Sequence, residues 1–308
     1  MTNLPRIDPT QAKDNTKIVK PFRSAKRPKR FNLFLKLFIA ILASLFALYP
    51  VVSIISAALS PTNSLVNSKL IPVGASFANF KRLWDDPQHP FMLWMWNSIQ
   101  VSLISSLIVV SFCALAAYSF SRLRYRGRRF GLLSILLVQL FPSTLAIVAL
   151  FLLLQQISKY VPSLGLNTLG GIILIYSGGA LGGNTWLMKG FFDSIPKELD
   201  EAALIDGASW WQAFIYVILP LVRPVLAVIG ILTFIGTYSD FLVARAMLKS
   251  TENYTLAVGM TLFIQGQYMQ QWGVFAAAAL VGALPIILTF LIFQKQLIGG
   301  LTTGSVKG

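Results

Sequence analysis

Six stretches of this chain are each about 20 residues or longer and almost free of charge, the length a helix needs to cross the hydrocarbon core of a bilayer. They lie at approximately 35–59, 97–121, 130–154, 167–188, 222–243 and 273–297. In hydrocarbon every backbone N–H and C=O must be paired within the protein, so such stretches can only be helices. The pattern predicts an all-α membrane protein with six transmembrane helices. Pro142 predicts a kink in the third span, because it removes a donor and crowds the preceding turn. The fourth span carries Gly170, Gly171, Gly178, Gly179, Gly182 and Gly183. In a membrane those glycines allow close helix–helix approach.

Charge then sets the expected orientation. Only 12% of the 308 residues are charged, about half the share of a soluble domain. Of the 26 Lys and Arg, ten fall in the first 36 residues and five in 122–129: Arg122, Arg124, Arg126, Arg128 and Arg129. Basic residues concentrate in cytoplasmic loops. Placing the N-terminal tail, 122–129, 189–223 and the C-terminal end inside puts 20 of the 26 on that side. The prediction is N-in and C-in, with a basic cytoplasmic tail over 1–34 and a transmembrane domain over 35–308. The net charge of +15 is therefore assigned to the lipid membrane and not to nucleic acid. Trp84, Trp94, Trp96 and Trp272 fall near the outer ends of spans, where an interfacial aromatic belt is expected.

Catalytic and metal chemistry find little to work with. The single cysteine, Cys113, lies inside an apolar run, and the single histidine, His89, stands beside Pro90 in a loop. No disulfide framework, no Cys-based metal site and no His-based triad can form within the chain. Asp240 is the main acid near a span, with Tyr238 and Ser239 beside it. A carboxylate in the bilayer faces a cavity or a partner, or else Asp240 is wet at the interface. Both readings stand at this point. One such acid is poor equipment for a secondary transporter driven by protons or sodium.

The segment after the fourth span, 189–223, is too long for a hairpin connection. It predicts two short helices. Pro196 suits a first helical position, and Glu198, Asp200 and Glu201 place acid at the positive end of the helix dipole. Leu199, Ala202 and Ala203 form a small-residue face, and Gly207 stops the helix. Ser209 and Gln212 make a capping-box pair for the second helix, which presents Trp210, Trp211, Phe214 and Ile215 and ends at Pro220. The polar faces are acidic, so anionic lipid would repel them. A protein socket is the better partner.

The string EAALIDGASWWQAFIYVILP at 201–220 resembles the EAA motif of ABC-importer permeases in order, spacing and topological position. AAYSFSRLRYRGR at 116–128 and WNS at 96–98 resemble the carbohydrate permeases, with Arg126 where a Pro is often found. GLNTLGG at 165–171, YTLAVGM at 254–260, FAAAA at 275–279 and the tail GLTTGSVKG at 300–308 resemble the maltose/maltodextrin branch of that family.

The resemblance implies a type I importer permease fold and a non-catalytic membrane subunit of a bacterial or archaeal cell (inner) membrane. It implies a coupling helix carrying Leu199, Glu201, Ala202, Ala203, Gly207, Ser209, Trp211 and Pro220. It implies as partners an ATPase dimer that binds ATP and Mg, a second permease subunit (MalF-like) and an extracytoplasmic sugar-binding protein. No cofactor is expected in this chain, which has no GxxxxGK[ST] loop. The last outer loop is expected to contact the binding protein through Gln265, Gly266, Gln267 and Tyr268. The tail from Thr302 to Gly308 is expected to reach between the ATPase subunits. Tyr238, Ser239 and Asp240 are translocation-path candidates. The expected cargo is maltose or a malto-oligosaccharide; alternatives are trehalose or a galactoside.

Overall fold

The computed structural model describes residues 30–61, 70, 72, 74–142, 144–265 and 270–302. The described residues are helical with no strand. Twelve helices suffice for the description: α1 Arg30–Leu59, α2 Ala78–Asp85, α3 Phe91–Arg122, α4 Arg128–Gln139, α5 Ile147–Tyr160, α6 Leu169–Ser194, α7 Glu198–Ile205, α8 Trp210–Ser239, α9 Leu242–Met247, α10 Leu256–Met260, α11 Trp272–Gly282 and α12 Leu284–Thr302. The chain divides into two compact units, Met1–Val51 and Val52–Gly308. In the first, every side chain from Leu33 to Val51 is exposed, as lipid-facing residues of a span are.

Among the described residues, four stretches are long and apolar enough to cross a membrane: Leu33–Leu59, Phe91–Arg122, Trp210–Ser239 and Trp272–Gln296. The third and fourth predicted spans depart from that simple form. The run 130–154 is not one kinked helix but two helices, α4 and α5, separated by a break over 140–146 that contains Pro142. Tight i→i+3 turns close the break, from Leu140 to Leu137 and from Leu145 to Pro142. A third, from the Phe141 N–H to the Val138 carbonyl at 3.2 Å, re-pairs the one carbonyl that Pro142, which has no N–H, would leave unpaired in a helix. The fourth span does form one 26-residue helix, α6, but its glycines and Asn184 keep it below the hydropathy of those four stretches.

The second unit is built on α3. One face of that helix presents Ser98, Ser102, Ser105, Val109, Cys113, Ala117 and Ser121, all buried, at spacings of three and four. Such a small-residue stripe lets α6 and α8 approach closely along its length. Two hydrophobic clusters result. At one end of α3, Phe91, Trp94 and Val101 pack with Ile172, Phe234, Leu256, Phe263 and Ala276–Ala278. At the other, Val109, Cys113, Ala117 and Tyr118 pack with Met188, Phe192, Phe214, Ile218 and Ile229.

The aromatic belt is corrected at one position. Trp94 is fully buried, and its Nε1 donates to the Thr251 carbonyl at 2.9 Å. Asn97 Nδ2 donates to the carbonyls of Glu252 and Tyr254 at 2.8 and 3.0 Å. The Leu256 N–H donates to Ser98 Oγ at 2.7 Å. These residues pin the 251–256 segment to α3. The indole is needed inside because the backbone of Gly259 lies against it; a Cβ there would stand 2.1 Å from the ring. Trp84 and Trp96 are exposed, as a belt requires.

Candidate functional site

The predicted loop folds as an ordered unit. α7 opens after Pro196 with Glu198, Asp200 and Glu201 in its first turn, where acid complements the dipole. It closes with a complete Schellman motif. The Gly207 N–H donates to the Leu204 carbonyl at 3.1 Å, and the Ala208 N–H donates to the Ala203 carbonyl at 3.0 Å. Gly207 has φ of +87°, a left-handed conformation that glycine adopts without a Cβ penalty. Two residues later the capping box is present. The Gln212 N–H donates to Ser209 Oγ at 3.3 Å, and the Ser209 N–H donates to Gln212 Oε1 at 2.8 Å.

The second half departs from the sequence expectation. There is no separate second helix ended by Pro220. The helix begun at Trp210 runs unbroken to Ser239 as α8. A π turn at Ala213–Ile218 immediately precedes Pro220. The wider turn takes up the space the proline ring would contest with the carbonyl of Tyr216, so the helix continues. The end of the loop is therefore rigidly the beginning of a span.

The helix α7 turns Asp200, Ala203 and Leu204 inward, and Glu198, Leu199, Glu201, Ala202 and Ile205 outward. Of the predicted face, Leu199 and Ala202 are exposed and Ala203 is half-buried. Ile205, unremarked in the sequence, is the most exposed at 86%. With Leu199 and Ala202 on α7, and with Trp210 and Trp211 at the start of α8, it gives the loop an exposed apolar knob.

Asp200 carries the attachment. Its Oδ2 lies 2.6 Å from Arg122 Nε, and the two side chains are 3% and 2% exposed. Arg122 Nη2 also donates to the Ile195 carbonyl at 2.9 Å. Ser121 Oγ donates to Asp193 Oδ1 at 2.7 Å, and Asp193 pairs with Lys189. Tyr118 reaches Asp200 Oδ1 and the Trp210 carbonyl, each at 3.4 Å. The last turn of α3 thus grips the loop at 193, 195, 200 and 210. Sequence reasoning missed this clamp. It read Arg122 as one of five basic residues and Asp200 as one of three acids. The available signal was the position of Asp200 at i−3 and i−4 from Ala203 and Leu204, on the inward face.

The other candidates lie at the opposite end of α3. Tyr238 is buried and donates to the Gly282 carbonyl at 2.9 Å. Ser239 is exposed. Asp240 is half-buried and ends α8. Its Oδ1 accepts from Tyr176 at 2.8 Å and from the N–H groups of Val243 and Ala244 at 3.0 and 3.2 Å, which caps α9. Gln265 is exposed and donates to Thr261 Oγ1 at 3.1 Å. Gly266, Gln267, Tyr268 and the tail 303–308 lie outside the described residues. Nearby, His89 Nδ1 lies 2.6 Å from Asp86 Oδ2. Burial raises the Asp86 carboxyl, but hydrogen bonds from His89 and the Gln88 N–H hold it below its ordinary value. Among the described residues no group of three or more His, Cys, Asp or Glu could hold a metal.

Comparison with known proteins agrees with this architecture. Residues 70–298 match the model of the binding-protein-dependent transport system inner membrane component family. The chain is 42% identical over 273 residues to the maltose/maltodextrin transport system permease protein MalG of Photorhabdus laumondii, covering 85% of this chain and 91% of that one. To the protein of the same name from Escherichia coli it is 40% identical over 289 residues, covering 90% and 95%. A crystal structure of a bacterial ABC transporter that imports the acidic polysaccharide alginate contains a chain with TM-score 0.75 and 25% identity, covering 90% of this chain and 99% of that one. A second structure, of an alginate ABC transporter with an alginate pentasaccharide-bound periplasmic protein, matches with TM-score 0.61 at 20% identity, over 85% and 92%. The fold is that of an ABC-importer permease, and the chain belongs to the family of multi-pass inner membrane components of binding-protein-dependent transport systems.

Proposed function

We propose that this chain is one of two permease subunits of an ATP-driven importer for maltose or malto-oligosaccharides. The observation that carries the reading is an exposed apolar knob of Leu199, Ala202, Ile205 and Trp211, locked to a span by a buried ion pair. An exposed knob of that kind is a liability unless a partner covers it. A partner ATPase dimer, which binds ATP and Mg, is the fitting socket. Glu201, Ala203, Gly207, Ser209 and Pro220 shape the knob, and only its outward residues touch the partner.

With that loop inside the cell, the chain is N-in and C-in, and the 251–271 region faces out. There a sugar-binding protein delivers its ligand, with Gln265, Gly266, Gln267 and Tyr268 in its reach. The end of α8, with Ser239 and Asp240 in front of Tyr238, borders the path. ATP drives transport only if the knob binds the closed ATPase dimer better than the open one. α3 and α8, gripped at the loop, then shift with it.

Maltodextrin is preferred because the relatives named for it share 40–43% of their residues over most of the chain, whereas the alginate transporter shares 25%. Trehalose or a galactoside is the alternative cargo. The test is reconstitution in vesicles with the second permease, the ATPase and the binding protein. Labelled maltose should accumulate only when all four proteins and ATP are present. Accumulation by this chain without the ATPase would refute the reading in favour of a secondary transporter.

A further inference from the structure

Beside the loop lies a basic cavity that the importer reading leaves unused. It has a volume of about 950 Å³ and is lined by Arg124, Tyr125, Arg126, Arg128, Arg129, Phe130 and Lys189, among others. Lys189 is paired with Asp193. Arg128 donates to the Leu123 carbonyl at 3.4 Å and lies within the field of Asp193, but among the described residues Arg124, Arg126 and Arg129 form no ion pair.

The backbone adds to the imbalance. α4 begins at Arg128 after Gly127, which has φ of +87° and offers no side-chain cap, and its first turn holds no acid. A left-handed residue followed by helical ones turns successive N–H groups into one concavity that favours an anion. Two arginines at the positive end of a helix dipole, without a carboxylate, are opposed by that dipole. The arrangement is electrostatically incomplete as it stands. A single anionic group would satisfy the helix terminus and the guanidinium groups together.

The surroundings indicate what bears that anion. Phe130, on the wall of the cavity, is 77% exposed. Leu133 and Leu137, three and seven residues on, are exposed on the same face of α4. An apolar track therefore starts at the charged cavity and runs along a membrane helix. A free ion would not need it, and a water-soluble partner would not tolerate it. We propose that the cavity binds the phosphodiester headgroup of an anionic phospholipid, with an acyl chain on Phe130, Leu133 and Leu137. Basic pockets between membrane helices take such headgroups. Because Lys189 lines the cavity and also pairs with Asp193, which Ser121 holds at the end of α3, the lipid braces the loop. The proposal rests on this end of the bundle facing the inner leaflet.

The test uses the whole transporter complex in nanodiscs of equal phosphatidylglycerol and phosphatidylcholine, with bound lipid counted by native mass spectrometry. The wild type should retain phosphatidylglycerol selectively. R124Q/R126Q/R129Q should lose that retention by about one to two orders of magnitude, since each basic side chain near an anionic surface contributes roughly fivefold. K81Q/R82Q, which removes charge from α2 at the other end, should leave it unchanged. Equal retention by the triple variant would overturn the proposal. So would displacement of the lipid by inorganic phosphate alone, which would mark a free-anion site. Loss of ATPase co-purification with lipid retention intact would assign the arginines to a protein partner and overturn it too. ATP-dependent maltose uptake by the wild type, measured alongside, reports the importer reading separately.

Discussion

Asp200→Asn is the sharpest test of how the loop is held. The change preserves side-chain volume and removes one charge from a pair that is almost fully buried at 2.6 Å. Arg122 is left with the Ile195 carbonyl and Ser121 Oγ as partners. Breaking a buried pair by removing one charge costs about 3–5 kcal/mol. The hydrogen bond to Ile195 survives, so the low end, about 3 kcal/mol, is expected. At about 1.4 kcal/mol per factor of ten, the balance between gripped and released loop shifts roughly a hundredfold. In reconstituted complexes the variant should insert and assemble, but binding-protein-stimulated ATP hydrolysis should fall at least about tenfold, and less sugar should enter per ATP. Arg122→Met combined with Asp200→Leu should recover both stability and coupling, because an apolar pair of matched volume replaces a buried ion pair at little cost. Wild-type stimulation and stoichiometry in Asp200→Asn would refute the clamp.

Four further outcomes are expected. Gly207→Leu places a Cβ in open space but at φ of +87°, costing about 1–2 kcal/mol of strain and blocking the knob; ATPase co-purification should drop while membrane insertion is normal. Trp94→Ala should lower stability by about 3–5 kcal/mol, seen as early melting and as proteolysis within 251–256. Asp240→Leu should lose about 1 kcal/mol with the cap on α9. Asp240→Asn keeps the cap, so reduced uptake at normal stability would assign Asp240 to the path and normal uptake would leave it a cap alone. At Asp86 the carboxyl is held below 3.8. Its contribution is present above that value and is lost as the pH falls through the lowered one. Melting should therefore not change through Asp86 between pH 5 and 8, and should drop on acidification below about 4.

Much of the fold was legible because the bilayer makes length and hydropathy decisive. α1, α3 and α8 stand where apolar runs put them, and Gly207 and Ser209 act through local hydrogen bonds that their neighbours supply. What was not legible depended on distant partners. Trp94 at a span end has the composition of a belt residue, and only the 251–256 segment, more than 150 residues later, buries it. Pro220 normally ends a helix, and the π turn that carries the helix through it has no signature in residue type. Arg122 was lost among four other arginines because charge counting cannot tell a paired cation from a wet one.

That last confusion has a mechanical consequence. α3 and α8 are 32 and 30 residues long, roughly 45 Å each at 1.5 Å per residue. α3 holds the 189–223 loop through Arg122 at one end and the 251–256 segment through Trp94, Asn97 and Ser98 at the other. α8 begins inside the loop and ends at Asp240. The loop is thus not tethered to the bundle but continuous with it on one side and ion-paired to it on the other. A helix transmits displacement only if its ends do not flex, and the regular helical ladder is interrupted elsewhere, between α4 and α5 beside Pro142. Stiffening that break should then slow transport, while softening the Arg122 joint should uncouple it from ATP. Distinct phenotypes at the two positions, measured as uptake rate and as sugar per ATP, would follow only if α3 and α8 move as rods.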